Sequence, residues 1–197
     1  YYATCTAYNG SDILPKLIET DDFKKFRITL LKGSCAKNKG MALFPEKVNG
    51  RYAMISRHDN ENLFIVHSDD IYTWENPKLL VTPKETWELT QIGNCGSPIK
   101  TDHGWLLLTH GVGAVRRYCM GAILLDLVNP SRVIGTLRTP LICPEEGGRN
   151  GYVPNVIYSC GALIHQDRLI IPYAVSDTSS KIFAVNHDEL IGSMDRV

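Results

Sequence analysis

Arg57-His58-Asp59, the run Thr109-His110-Gly111-Val112-Gly113, the following Arg116 and Arg117, and Asp177 are the side chains of this chain best suited to chemistry. Guanidinium forks match phosphate oxygens and an imidazole supplies a directed donor, so Arg57, His110 and Arg116 together read as an anion site. Each also has a plainer role. Arg57 would close a salt bridge between neighbouring units, His110 would be a satisfied interior imidazole, and Gly111 and Gly113 would serve a tight turn. One of Arg116 and Arg117 is expected to face solvent.

The elements that must position these residues repeat along the chain. Tyr1-Tyr2-Ala3-Thr4-Cys5-Thr6 recurs as Arg51-Tyr52-Ala53-Met54-Ile55-Ser56, then as Trp105-Leu106-Leu107-Leu108-Thr109 and as Leu169-Ile170-Ile171-Pro172-Tyr173. Each is an apolar run entered from turn residues, the pattern of a buried strand on a hairpin. Thr20-Asp21-Asp22 returns as Ser68-Asp69-Asp70, and Asp21, Asp22, Asp69 and Asp70 read as turn formers; weaker echoes are Ala122–Leu127 and Phe183–Asp188. A further apolar strand precedes three of the copies, at Met41–Phe44, Ser97–Lys100 and Val156–Tyr158. Several strands per unit of about 50 to 60 residues favour a β-propeller over a β-sandwich, because whole units recur rather than single strands. The four copies are expected to be the innermost strands, which brings Ala7, Arg57, His110 and Ala174 to equivalent places at one funnel mouth. They imply about three to four blades, and Tyr1–Thr6 reads as cut inside an element. The expectation is one all-β propeller domain over 1–197, an incomplete ring whose N-terminal part is missing.

Composition narrows the partners. Lys plus Arg and Asp plus Glu number 21 each in 197 residues, so no net field collects nucleic acid or an anionic membrane. No apolar stretch approaches the roughly 20 residues that span a bilayer. Neither nucleic acid nor a membrane is an expected partner. The six cysteines include no CxxC pair, which argues against a metal centre and for reduced, mostly buried thiols.

Four segments in order then carry a resemblance: Ala42–Met54, Gly104–Val112, Gly121–Leu127 and Gly151–Ala162. They resemble glycoside hydrolase family 130, the β-mannoside phosphorylases and related β-mannosidases built on a five-bladed β-propeller. The resemblance implies cleavage of a β-mannosidic bond by inorganic phosphate with inversion, giving α-mannose 1-phosphate. It implies phosphate as co-substrate, a β-mannosyl oligosaccharide as substrate and no cofactor or metal. An acid, cations and no base suffice for phosphorolysis, whereas hydrolysis requires a second carboxylate to activate water.

Position by position, the resemblance implies that Arg57, Lys100, His110 and Arg116 line the phosphate side. Asp177 would contact the mannosyl hydroxyls, and His58 and Asp59 would touch substrate. Retention of His110 and Arg116 favours phosphorolysis. Asn150 stands where relatives commonly carry Asp or Glu. The general acid, an Asp, is expected just upstream of Tyr1, so this polypeptide is expected to be inactive alone. The alternatives are a β-mannosidase of the same family and a propeller that only binds glycans. A cytoplasmic location and homo-oligomerisation are further expectations.

Overall fold

The computed structural model describes residues 1–145 and 151–197. Among these the strands form four antiparallel sheets met in chain order, arranged as blades of a β-propeller. The first contains β1 (Tyr2–Tyr8), β2 (Ile13–Glu19) and β3 (Arg27–Leu30). The second is the meander β4 (Lys39–Leu43), β5 (Tyr52–Arg57), β6 (Leu63–Ser68) and β7 (Lys78–Val81). In the third, β8 (Gln91–Asn94) and β9 (Ile99–Thr101) both pair with β10 (Gly104–Val112), followed by β11 (Tyr118–Leu125) and β12 (Val133–Thr136). In the fourth, β13 (Ile157–Tyr158) and β14 (Leu163–His165) both pair with β15 (Arg168–Val175), which pairs on its other side with β16 (Ser179–Asn186). A short helix α1 (His187–Gly192) then leads to β17 (Asp195–Arg196), which returns to β12 of the third sheet. No described helix is long and apolar enough to cross a membrane.

The uninterrupted apolar runs follow from burial on both faces. Successive side chains of a strand point to opposite sides, and β10 divides accordingly. Trp105 and Leu107 join Ile123 and Leu125 in a core shared with Ala53, Ile55, Leu63 and Ile65 of the second sheet. Leu106 and Leu108 join Met120, Ala122 and Leu124 in a core shared with Leu169 and Ile171 of the fourth. The second sheet behaves alike, sending Met54 and Val66 toward Leu17 of the first sheet and the fully buried Trp74. Each fully buried Leu or Ile contributes about 2 kcal/mol relative to exposure. Edge contact between Phe44 and Trp105, at 5.1 Å between centroids, locks the second sheet to the third.

The repeated polar residues cap turns, as their types require. Asp22 Oδ1 accepts from the N–H groups of Lys24 and Lys25, Asp70 Oδ1 from Tyr72, Asp126 Oδ1 from Val128 and Asn129, and Asn186 Oδ1 from Asp188 and Glu189.

Two expectations need correction. The recurrent apolar strands β5, β10 and β15 are second in their sheets. The strands nearest the axis are β4, β8 with β9, and β13 with β14, because a strand buried on both faces needs paired neighbours on both edges as well. Only β1 of the four copies stands at the axis. Gly111 is likewise no turn residue. It lies inside β10, where an added Cβ would fall 2.5 Å from Trp87 Cζ3 and 2.4 Å from Glu88 Cβ, while a Cβ on Gly121 would fall 2.6 Å from Trp87 Cη2. These glycines give the Trp87 ring its seat.

Gly111→Ala should therefore destabilise the fold by about 1–3 kcal/mol through overpacking, read by denaturant unfolding. Gly192→Ala, where an added Cβ meets nothing within 4 Å, is the control and should leave the midpoint unchanged or slightly higher.

Candidate active site

The inner strands converge on a cavity of about 830 Å³ walled by Tyr2–Thr6 of β1, Lys39–Ala42 of β4, Asn94, Gly96 and Ser97 after β8, and Val156, Tyr158 and Ser159 around β13. Arg57, His110, Arg116 and Asp177 all reach it, as do Lys39 and Tyr118. Three permanent cations thus face one carboxylate among the described residues of the wall.

Arg57 ends β5 and is only 7% exposed. Its Nε has no hydrogen-bond partner. With the Gln91 amide oriented to satisfy both its ends, Gln91 Oε1 accepts from Arg57 Nη1 at 2.8 Å and Nε2 donates to Asn60 O at 3.1 Å. Burial pulls the guanidinium below its usual pKa, yet arginine keeps its proton across the physiological range. A buried cation held by a neutral amide through one of its five N–H donors is suited to an oxyanion.

His110 lies in β10 opposite Gly93 of β8. A Cβ at Gly93 would fall 2.3 Å from the imidazole Cε1, 2.6 Å from Nε2 and 3.2 Å from Arg57 Cδ. The missing side chain of Gly93 therefore lets His110 and Arg57 pack over one patch of backbone. Tyr118 lies nearly parallel to the imidazole at 6.1 Å, and Cys95 Sγ stands 3.8 Å from Nδ1. Burial, then the charge of Arg57, push the His110 pKa down to about 4, with the Asn94 backbone pulling weakly the other way. The ring is neutral at pH 7 and offers one N–H without adding charge.

Arg116 and Asp177 sit at equivalent turns, between β10 and β11 and between β15 and β16. In each turn two successive residues other than glycine are left-handed: Val115 (φ 52°) with Arg116 (φ 55°), and Ser176 (φ 51°) with Asp177 (φ 52°). A β-branched residue in that region is strained, so the surrounding fold must hold the turn that presents Arg116.

The other expected residues lie elsewhere. Lys100 is not in the cavity; its Nζ is 2.5 Å from Glu46 Oε1 and 5.7 Å from the centre of the Trp105 ring. It lines a separate cavity of about 760 Å³ that shares Ser97 and Cys160 with the first. The His58 ring packs against Phe64 at 4.4 Å in a tilted contact, and its carbonyl accepts from Asn38 Nδ2 at 2.5 Å. Asp59 forms the turn before β6, accepting from the N–H groups of Glu61 and Asn62, both at 2.9 Å, and from Asn62 Nδ2 at 2.7 Å. Burial raises its carboxyl pKa, but the hydrogen bonds from Asn62 and Glu61 outweigh this and leave it below the usual value. Neither His58 nor Asp59 lines the cavity. Arg117 turns away to donate to the carbonyl of Pro144 at 3.0 Å. Ala7 is not in the wall, and Ala174 pairs with Tyr158. Asn150 lies outside the described residues. No cluster of metal-ligating side chains occurs among the described residues.

Sequence reading missed Lys39, Gln91 and Asn94. The visible signal for Lys39 and Asn94 was the adjacent glycine, in Lys39-Gly40 and Gly93-Asn94-Cys95-Gly96, marking backbone that other groups approach closely.

Comparison with known proteins adds to this geometry. A family model described as beta-1,4-mannooligosaccharide phosphorylase, of glycoside hydrolase family 130, matches residues 1–196. A 1,2-beta-oligomannan phosphorylase of Thermoanaerobacter sp. (strain X514) is 41% identical over 143 residues, covering 72% of this chain and 48% of that protein. A beta-1,2-mannobiose phosphorylase of the same organism is 37% identical over 198 residues, covering 96% of this chain and 64% of that protein. The structure of the beta-1,2-mannobiose phosphorylase from Listeria innocua, in complex with beta-1,2-mannobiose, superposes with a TM-score of 0.87 at 30% identity, over 98% of this chain and 57% of that one. The chain thus spans about half to two thirds of the length of these relatives.

The neutrality of His110 has a measurable cost. The unfolded state takes up a proton near pH 6.5, while the folded ring does so only near pH 4. Stability from this group is complete above pH 6.5 and falls as pH drops toward 4, by of order 3 kcal/mol at most. Relative to His110→Gln, the native protein should lose stability across that window in pH-resolved urea melts; parallel curves for the two would contradict a buried neutral imidazole.

Proposed function

The chain belongs to glycoside hydrolase family 130, and from that premise we propose that the protein containing it cleaves β-mannosides with inorganic phosphate, releasing α-mannose 1-phosphate. One observation carries the reading. The axial cavity gathers Arg57, Arg116 and Lys39 around a neutral His110, with Asp177 as its one described carboxylate. Hydrolysis by inversion needs two carboxylates, one to protonate the leaving oxygen and one to activate water. A wall dominated by cations suits a dianionic nucleophile, which needs positioning and charge compensation rather than a base.

Arg57 presents its guanidinium, Arg116 a second guanidinium at the rim, and His110 a neutral donor. Together they draw phosphate to one side of the cavity and offset its repulsion from Asp177. Asp177 accepts hydrogen bonds from mannosyl hydroxyls and fixes the sugar. Lys39 takes the place on the cationic wall that the resemblance implied for Lys100. The relatives at 41% and 37% identity are named for β-1,2 linkages, and this favours the β-1,2 linkage as substrate here.

The test is phosphate-dependent release of mannose 1-phosphate from β-1,2- and β-1,4-mannobiose. Arg116→Ala, at an exposed rim position, should raise the phosphate concentration for half-maximal rate by about tenfold or more, with mannoside affinity within about twofold of native. Equal loss of both would remove Arg116 from the phosphate side. Mannose release of equal rate in phosphate-free buffer would overturn phosphorolysis itself.

A further inference from the structure

Six cysteines are free thiols, and two of them stand face to face. Met120 of β11 exchanges both backbone hydrogen bonds with Ile142: Met120 N donates to Ile142 O at 2.8 Å and Ile142 N donates to Met120 O at 3.2 Å. In an antiparallel ladder the residues beside such a pair form a non-hydrogen-bonded pair, whose Cα atoms lie about 4.5 Å apart and whose side chains approach most closely. Cys119 and Cys143 occupy that position. Their sulfurs are 2.8 Å apart, and the Cα spacing of about 4.5 Å typical of such a pair lies in the range a disulfide spans.

We propose that Cys119 and Cys143 form a redox-labile pair that closes to a disulfide by exchange with a low-molecular-weight disulfide. The surroundings give the order of events. Cys143 is half-buried, whereas Cys119 is buried. Both thiols line a surface cavity of about 340 Å³ beside Trp87 and Pro140, through which a small disulfide reaches them. Cys143 is the more accessible of the two and is therefore the first nucleophile, while burial raises the pKa of the Cys119 thiol. The Cys143 thiolate attacks the small disulfide, forming a mixed disulfide and releasing one small thiol. The Cys119 thiolate then attacks the Cys143 sulfur and expels the second small thiol. Two protein thiols are oxidised, one small disulfide is reduced, and both protons leave on the small thiols.

The bond would fasten the stretch around Cys143 to β11, one residue from Tyr118 of the cavity wall and beside the contact from Arg117 to the Pro144 carbonyl. It would close a loop between positions 24 residues apart. Loop closure of this size raises the melting temperature by about 5–10 °C in a domain of this length.

The experiment treats the full chain with oxidised glutathione, then counts thiols after unfolding and maps peptides without reductant. The expected result is four titratable thiols instead of six, a Cys119–Cys143 peptide lighter by two hydrogens, a raised melting temperature, and reversal of all three by dithiothreitol. Cys143→Ser, at the half-buried position, and Cys119→Ala should each abolish the linked peptide and the thermal shift. Six thiols remaining after treatment, a glutathione adduct on Cys143 that never resolves, or linkage confined to other cysteines would overturn the proposal.

Discussion

Burial of both faces of the second and third sheets is the constraint on which this structure rests. A strand such as Trp105–Thr109 has no polar side to offer water, so its sheet is stable only between two others. Face-to-face packing of consecutive sheets turns a linear meander into an arc, and the arc brings inner strand ends from distant parts of the chain to one cavity. Arg57 and His110 are 53 positions apart yet meet over the same glycine because β5, β8 and β10 are fixed by cores that contain neither of them. Chemistry at the axis is thus positioned by packing several residues away, and the cavity needs no core of its own.

Electrostatics at that axis rests on asymmetry rather than total charge. Equal numbers of acidic and basic residues give no long-range field, but the acids are spent locally. Asp22, Asp59, Asp70 and Asp126 are saturated by backbone N–H groups in turns, and Glu46 is taken by Lys100. The cations at the cavity therefore outnumber the carboxylate of Asp177 beside them, in a setting where burial strengthens their pull on an anion. Keeping His110 neutral limits the repulsion that a further charge would add beside Arg57.

Much of the architecture was legible because it is written in local pattern. Recurrent apolar runs, polar punctuation and capping residues at equivalent places identified strands, turns and the propeller class without reference to distant contacts. Which strand faces the axis was not legible, since a strand buried on both faces looks the same in either place. The site divided on similar lines. Arg57, His110, Arg116 and Asp177 converge, whereas Lys100 parts from them because its side of β9 faces Glu46 rather than the axis. His58 and Asp59 follow Arg57 directly in sequence, but a β-turn intervenes and sends their side chains to Phe64 and to the turn backbone. Gln91 was invisible because nothing local marks an amide as the support of a guanidinium on another strand.

The return of β17 to the edge of β12 changes how the fourth sheet is attached. Its chain leaves the third sheet through the segment after β12 and comes back to that same strand after α1, so the fourth sheet is an excursion anchored at both ends on one neighbour. Leu190, Ile191 and Met194 pin the returning segment into the core the two sheets share. Opening the fourth sheet therefore exposes the third as well, and the two behave as one cooperative unit on the timescale of amide exchange. Asp177, in a turn of one sheet, and His110, in a strand of the other, are thus carried on one doubly anchored unit.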